Sequence, residues 1–137
     1  MIFNKLIPEL SVRDIEKSKD FYINILGFEL KYERVQDKFA FLEYKWAQIM
    51  IEEINNHWIT GELSYPFGRG INFQIETDEI ENISARLKEN NVEIFKDVFD
   101  SKYVAQDITY IEKELLVQDP DGYLLRFQQD NKEKNHG

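Results

Sequence analysis

Few residues in this chain can do acid–base, nucleophilic or metal-binding chemistry. Its 137 residues include no cysteine and two histidines. The lack of cysteine excludes thiolate nucleophiles, disulfides and zinc–thiolate sites. His57 falls in an irregular stretch and His136 in the polar run NKEKNHG, which is expected to be disordered. A two-histidine, one-carboxylate iron centre is therefore not expected. No serine or lysine nucleophile motif is present. Three features remain. Asp119 and Asp121 stand two apart in LLVQDPDGYLLRFQQ (115–129). Arg126 sits inside the apolar run of Leu124, Leu125 and Phe127. Trp58, Tyr65 and Phe67 crowd one loop. The two aspartates read as turn chemistry and not as an acid/base pair. Proline presets φ, aspartate side chains bond local backbone, and Gly122 accepts a positive φ. The aromatic loop either folds back on the core or lines a site.

Charge narrows the partners. Acidic residues exceed basic ones by 26 − 17 = 9. A nucleic-acid binder needs a basic patch, so none is expected here. An acidic protein attracts cations, although the same charge also serves plain solubility. No apolar run of membrane-spanning length occurs. The N-terminus MIFNKLIPEL lacks the pattern of a secretory signal. A cytoplasmic location with no membrane partner is the expectation.

The elements that must position these residues follow from periodicity. LIPELSV reads as an edge strand or a strand that bends, because Pro8 removes a ladder donor. RDIEKSKDFYINILGF reads as a helix capped by Asp14. Its inward face is Ile15, Phe21, Tyr22, Ile25 and Leu26, and Gly27 ends it. FELKYERV, KFAFLEYK and AQIMIEEI read as strands, with a short hairpin at EYKWAQ. Residues 55–68 form a loop. The order then restarts. GINFQIE is a strand, and TDEIENISARLKENN a helix capped by Asp78 with Ile80, Ile83 and Leu87 inward. VEIFKDVF, YVAQDITYIE, KELLVQD and GYLLRFQQ read as strands. The spacing therefore predicts one α+β domain over 1–137, made of two repeated βαβββ modules whose curved sheets enclose a cleft. Module 1 covers about 5–54, a linker 55–68, module 2 about 69–129, and a polar tail 130–137.

Two segments, LSVRDIEKSKDFYINILGFEL and VQDPDGYLLRF, make the chain resemble the vicinal oxygen chelate superfamily. That superfamily takes in glyoxalase I, extradiol dioxygenases, and fosfomycin- and bleomycin-resistance proteins. The resemblance runs from about Leu6 to Gln128. Enzymes of the family hold a divalent metal through His, Gln or Glu at positions that correspond here to Ile7, to Gly70 or Ile71, and to Arg126. None of these can ligate a metal, and a fixed cation repels one. Glu9 shares the strand parity of Ile7. The resemblance thus implies no metal and no cofactor. Arg126 after Asp-Pro-Asp-Gly-x-Leu-Leu looks like the arrangement in metal-free bleomycin-resistance proteins.

That resemblance implies a protein that is not an enzyme, with no catalytic residues, sequestering a cationic aromatic antibiotic of the bleomycin type. A metal-free binder of another small molecule is the alternative, and a metal-dependent glyoxalase- or dioxygenase-like enzyme a third. The family's stacking residues match Tyr32, Phe39 and Tyr110. Trp46, Trp58 and Arg126 complete the expected ligand-binding set. Two chains are expected to pair as a homodimer, through exchange of the first strand or without it.

Overall fold

The computed structural model describes residues 1–130. The chain divides into two compact units. One holds residues 1–69 and 119–123, the other residues 70–118 and those from 124 onward. His136 and the expected tail from 131 lie outside the described residues, while Asp130 ends the last strand.

In the first unit β1 (Glu9–Val12) leads to α1 (Ile15–Lys19) and then to β2 (Glu29–Arg34), β3 (Phe39–Tyr44) and β4 (Ala47–Glu53). The sheet order is β1-β4-β3-β2, with β1 parallel to β4 and the other pairs antiparallel. β1 is an edge strand, as Pro8 implies, and the Pro8 carbonyl accepts from Met50 N at 2.9 Å. Asp14 caps α1 by accepting from Glu16 N and Lys17 N at 3.0 and 3.2 Å. The helix does not run on evenly to Leu26. From Asp20 to Ile25 it widens into a π turn, and Gly27 then takes φ 94°. Phe21, Tyr22, Ile25 and Leu26 are all buried there, as their spacing predicts.

β3 shows how the sheet sorts its side chains. Tyr44 meets Phe28, just past the helical segment, with ring centroids 5.4 Å apart. Phe39 and Phe41, of opposite parity, meet Tyr32 of β2 on the other face at 5.8 and 5.3 Å. The β3–β4 turn is the expected short hairpin. Lys45 and Trp46 both have positive φ (45° and 74°) and neither is glycine.

The second unit repeats the order: β5 (Asn72–Glu76), α2 (Ile80–Glu89), β6 (Ile94–Ala105), β7 (Ile108–Gln118) and β8 (Leu124–Asp130). Its sheet runs β5-β8-β7-β6, with β5 parallel to β8. α2 turns Ile80, Ile83 and Leu87 inward. Asp78 is not its cap. Thr77 Oγ1 accepts from Glu79 N at 3.0 Å, and Gln129 of β8 accepts from Ile80 N at 2.8 Å. A distant side chain thus satisfies a helix-end donor that local sequence assigned to Asp78. The expected break after Phe99 is also absent. β6 continues to Ala105, and the hairpin turns at Gln106–Asp107 (φ 51° and 65°). Each unit is therefore a βαβββ module with a four-stranded mixed sheet. Among the described residues no helix is long and apolar enough to cross a membrane.

Candidate functional site

Arg126 is explained by strand alternation. Leu125 and Phe127 of β8 are buried, and Arg126 points to the opposite face of the second sheet. There its guanidinium donates to Glu114 Oε1 at 2.8 Å and to Asn72 Oδ1 at 3.1 Å. By β7 parity Glu112 and Tyr110 share this face. Tyr103 donates to Glu112 at 3.0 Å, and its ring stacks on Tyr110 at 5.1 Å. The face thus combines carboxylates, a stacked tyrosine pair and an arginine already matched to an acid.

The first unit carries a cavity of about 570 Å³, within the range of small-molecule sites. Glu9, Glu52, Glu53 and Asp37 line it, together with Arg34, Lys38, His57 and Trp58. β1 and β4 supply Glu9 and Glu52, whose same-face positions follow from the Glu9↔Met50 register. β2 ends in Arg34, and the short turn Val35–Asp37 supplies Asp37. Lys38 Nζ lies 3.1 Å from Glu53, and Arg34 Nε 3.2 Å from Asp37. Two carboxylates, Glu9 and Glu52, remain beyond these two pairs. Burial raises the Glu9 carboxyl above its ordinary range, the Glu52 charge adds to this, and Arg34 opposes it. Glu53 is held below its ordinary range, first by the Ile15 N–H and then by Lys38. Asn55 Nδ2 donates to Glu52 at 2.8 Å. Beside the cavity, Arg34 Cζ sits 3.9 Å over the Phe39 ring.

A third cluster belongs to the same unit but is structural. Asp119 Oδ1 accepts from Asp121 N and Tyr123 N at 2.9 and 3.0 Å, and Asp119 Oδ2 from the Tyr22 hydroxyl at 2.6 Å. Asp121 Oδ1 accepts from Arg13 N and Nε at 3.0 and 2.7 Å. Gly122 (φ 95°) admits no side chain, because a Cβ there would meet Pro66. The Asp-Pro-Asp-Gly segment is thus the turn that its residue types imply, fastened to β1 and the helical segment.

The expected site residues fall in three places. Tyr32 and Phe39 lie together on the first sheet, and Trp58 lines the cavity of that unit. Trp46 sits at the β3–β4 turn, where its carbonyl accepts from Asn4 Nδ2 at 2.7 Å. Tyr110 and Arg126 belong to the second unit. Sequence reasoning did not single out Arg34 or Glu52. Their signals were present: Arg34 precedes Asp37 by three residues, and Glu52 has the parity of Gln48 and Met50 on β4.

The donors at the metal positions do not suit a divalent ion. Ile7 and Gly70 or Ile71 offer no donor side chain, and Arg126 is a cation already bonded to Glu114. Among the described residues no three His, Cys, Asp or Glu side chains cluster as a metal centre.

Residues 6–127 match the model of the Glyoxalase/Bleomycin resistance protein/Dioxygenase superfamily. Two proteins of Neisseria meningitidis, from serogroups A and B and both named lactoylglutathione lyase, are 28% identical over 124 residues, covering 86% of this chain and 84% of theirs. A superfamily member from Vibrio splendidus 12B01 is 36% identical, covering 89% of this chain and 95% of that one, at TM-score 0.41. TioX from Micromonospora sp. ML1 has TM-score 0.71 at 15% identity, over 94% of this chain and all of that one. The expectation that the chain is not an enzyme is overturned by the Neisseria relatives, which carry an enzyme's name. It rested on the residues at three metal positions, and those speak only to metal binding.

Proposed function

The chain belongs to the glyoxalase/bleomycin resistance protein/dioxygenase superfamily, and from that premise we propose that it takes up a cationic aromatic glycopeptide antibiotic of the bleomycin type, whose flat cationic end the cavity receives. The observation that carries this reading is the cavity of the first unit, with Glu9 and Glu52 beyond its two ion pairs and Trp58 on its wall. Carboxylates in a partly desolvated cavity favour a cation, and rings favour flat groups by about 0.5–1.5 kcal/mol per stacked pair. The acidic excess of the whole chain adds long-range attraction. The second sheet supports the reading with Glu112 and the Tyr103–Tyr110 stack. Two copies of the chain form the working assembly in this proposal. The exposed apolar side chains of Met1, Ile2, Phe3 and Leu6 support that part.

One observation favours a second reading, the enzyme name of the Neisseria relatives. A single pair of assays separates the two. Titration with copper-free bleomycin is followed by the fluorescence of Trp46 and Trp58, and the W58F variant isolates the cavity. Lactoylglutathione lyase activity is measured in parallel with nickel or zinc added. Saturable quenching that W58F removes and salt weakens supports the proposal. No binding at about 100 μM removes the bleomycin class, and metal-stimulated lyase turnover puts the second reading in its place.

A further inference from the structure

Phe39 is 2% exposed although it faces away from the helical side of its sheet. Part of its cover is Arg34, whose Cζ stands 3.9 Å over the ring. The Arg34 side chain is itself half exposed, at 47%, as is its partner Asp37, at 54%. A long, solvated side chain therefore lies over an aromatic ring at the edge of a cavity, held by one surface ion pair of 3.2 Å. Surface pairs of this kind hold weakly, and so does a cation–ring contact at an exposed site. The ring below is fixed, because Tyr32 packs against it at 5.8 Å and against the neighbouring Phe41 at 5.3 Å. Arg34 also lies close enough to Glu9 to stabilise that carboxylate.

Guanidinium, aromatic ring and carboxylates together form the arrangement that a flat organic cation makes with its binding site. We infer that Arg34 is the selectivity gate of the first-unit cavity: its guanidinium occupies the place of a ligand's planar cationic group, and an aryl amidinium or similar flat cation enters by displacing it from Phe39. This rests on the reading of the cavity as a small-molecule site, and it adds the residue that sets charge and shape selectivity there. Glu9 and Glu52 remain to meet the entering charge.

The test uses p-aminobenzamidine, a flat fluorescent cation, on the whole protein. Releasing one exposed cation–ring contact and one exposed ion pair lowers affinity by about 3- to 30-fold in the parent. R34A is expected to recover that factor. The R34A/F39L variant keeps an apolar side chain at position 39 without the ring and is expected to lose the gain. R34A/E52Q is expected to lose part of it, and R34K to behave as the parent or weaker. Melting curves of each variant confirm that it is folded. An anionic aromatic probe, anilinonaphthalene sulfonate, is expected to bind R34A no tighter than the parent. Unchanged or weaker binding of p-aminobenzamidine by folded R34A overturns the gate, as does a gain that survives F39L. The bleomycin titration of the parent stands apart from this comparison. Bleomycin can fail there while the gate holds, and the gate can fail while bleomycin binds.

Discussion

Asp119 is 3% exposed, and burial pushes its carboxyl from the ordinary 3.8 up to about 6, with the Asp121 charge adding to the rise and the bonds from Tyr22, Tyr123 and Asp121 opposing it. The folded chain then holds a proton on Asp119 at a pH where the unfolded chain has lost it. The stabilisation from this proton is fully present below about pH 4 and is lost as pH rises through about 6. From 3.8 to about 6, at 1.36 kcal/mol per pH unit, its size is about 3 kcal/mol. Asp119→Asn keeps an oxygen for the Asp121 and Tyr123 amides and presents an amide to Tyr22, and it does not titrate. The measurement is urea unfolding of parent and variant between about pH 4 and 7.5, within the range where linkage acts. The stability difference, variant minus parent, is expected to rise by about 2 kcal/mol across that window, the remainder lying below about pH 4. Taking a difference removes the other carboxylates, which titrate alike in both proteins. Tyr22→Phe is the companion variant. It removes a bond that favours the ionised carboxylate, so the midpoint of the Asp119 titration is expected to move above its parent value. A difference that stays flat with pH refutes the reasoning and leaves Asp119 ionised throughout.

Two further outcomes are expected. The β3–β4 turn places Lys45 and Trp46 at positive φ, where asparagine and glycine sit more easily. K45N/W46G is expected to raise stability by about 1 kcal/mol in thermal or urea unfolding without weakening p-aminobenzamidine binding to R34A. A loss of that binding would place Trp46 in the site. Sedimentation at micromolar concentration is expected to give a pair of 16.4 kDa chains. A monomer at every concentration rules out the paired assembly.

The repeat of two βαβββ modules was legible in the sequence because it is written in local terms. Apolar residues recur with period 2 on the strands and in helical spacing at Ile80, Ile83 and Leu87. Asp14 caps its helix through bonds only two and three residues long, and the Asp-Pro-Asp-Gly turn closes through bonds of similarly short reach. What failed were the assignments that depend on partners far along the chain. The N-terminus of α2 is satisfied by Gln129, 49 residues from Ile80. β6 runs on to Ala105 because it pairs residue by residue with β7 from Phe99 onward, past two register shifts nearer its start, although its own residues alternate poorly. The role of Arg126 lay between these cases. Its parity in β8 was plain, but only the sheet brings Glu114 and Asn72 to it. The candidate cavity was the least legible part. Glu9, Arg34 and Glu52 stand on three strands whose order, β1-β4-β3-β2, is set by tertiary pairing. Residue type made Arg34 and Glu52 ordinary surface charges, and strand parity alone singled out Glu9. Only the folded sheet sets Arg34 over Phe39 and leaves two carboxylates beside it.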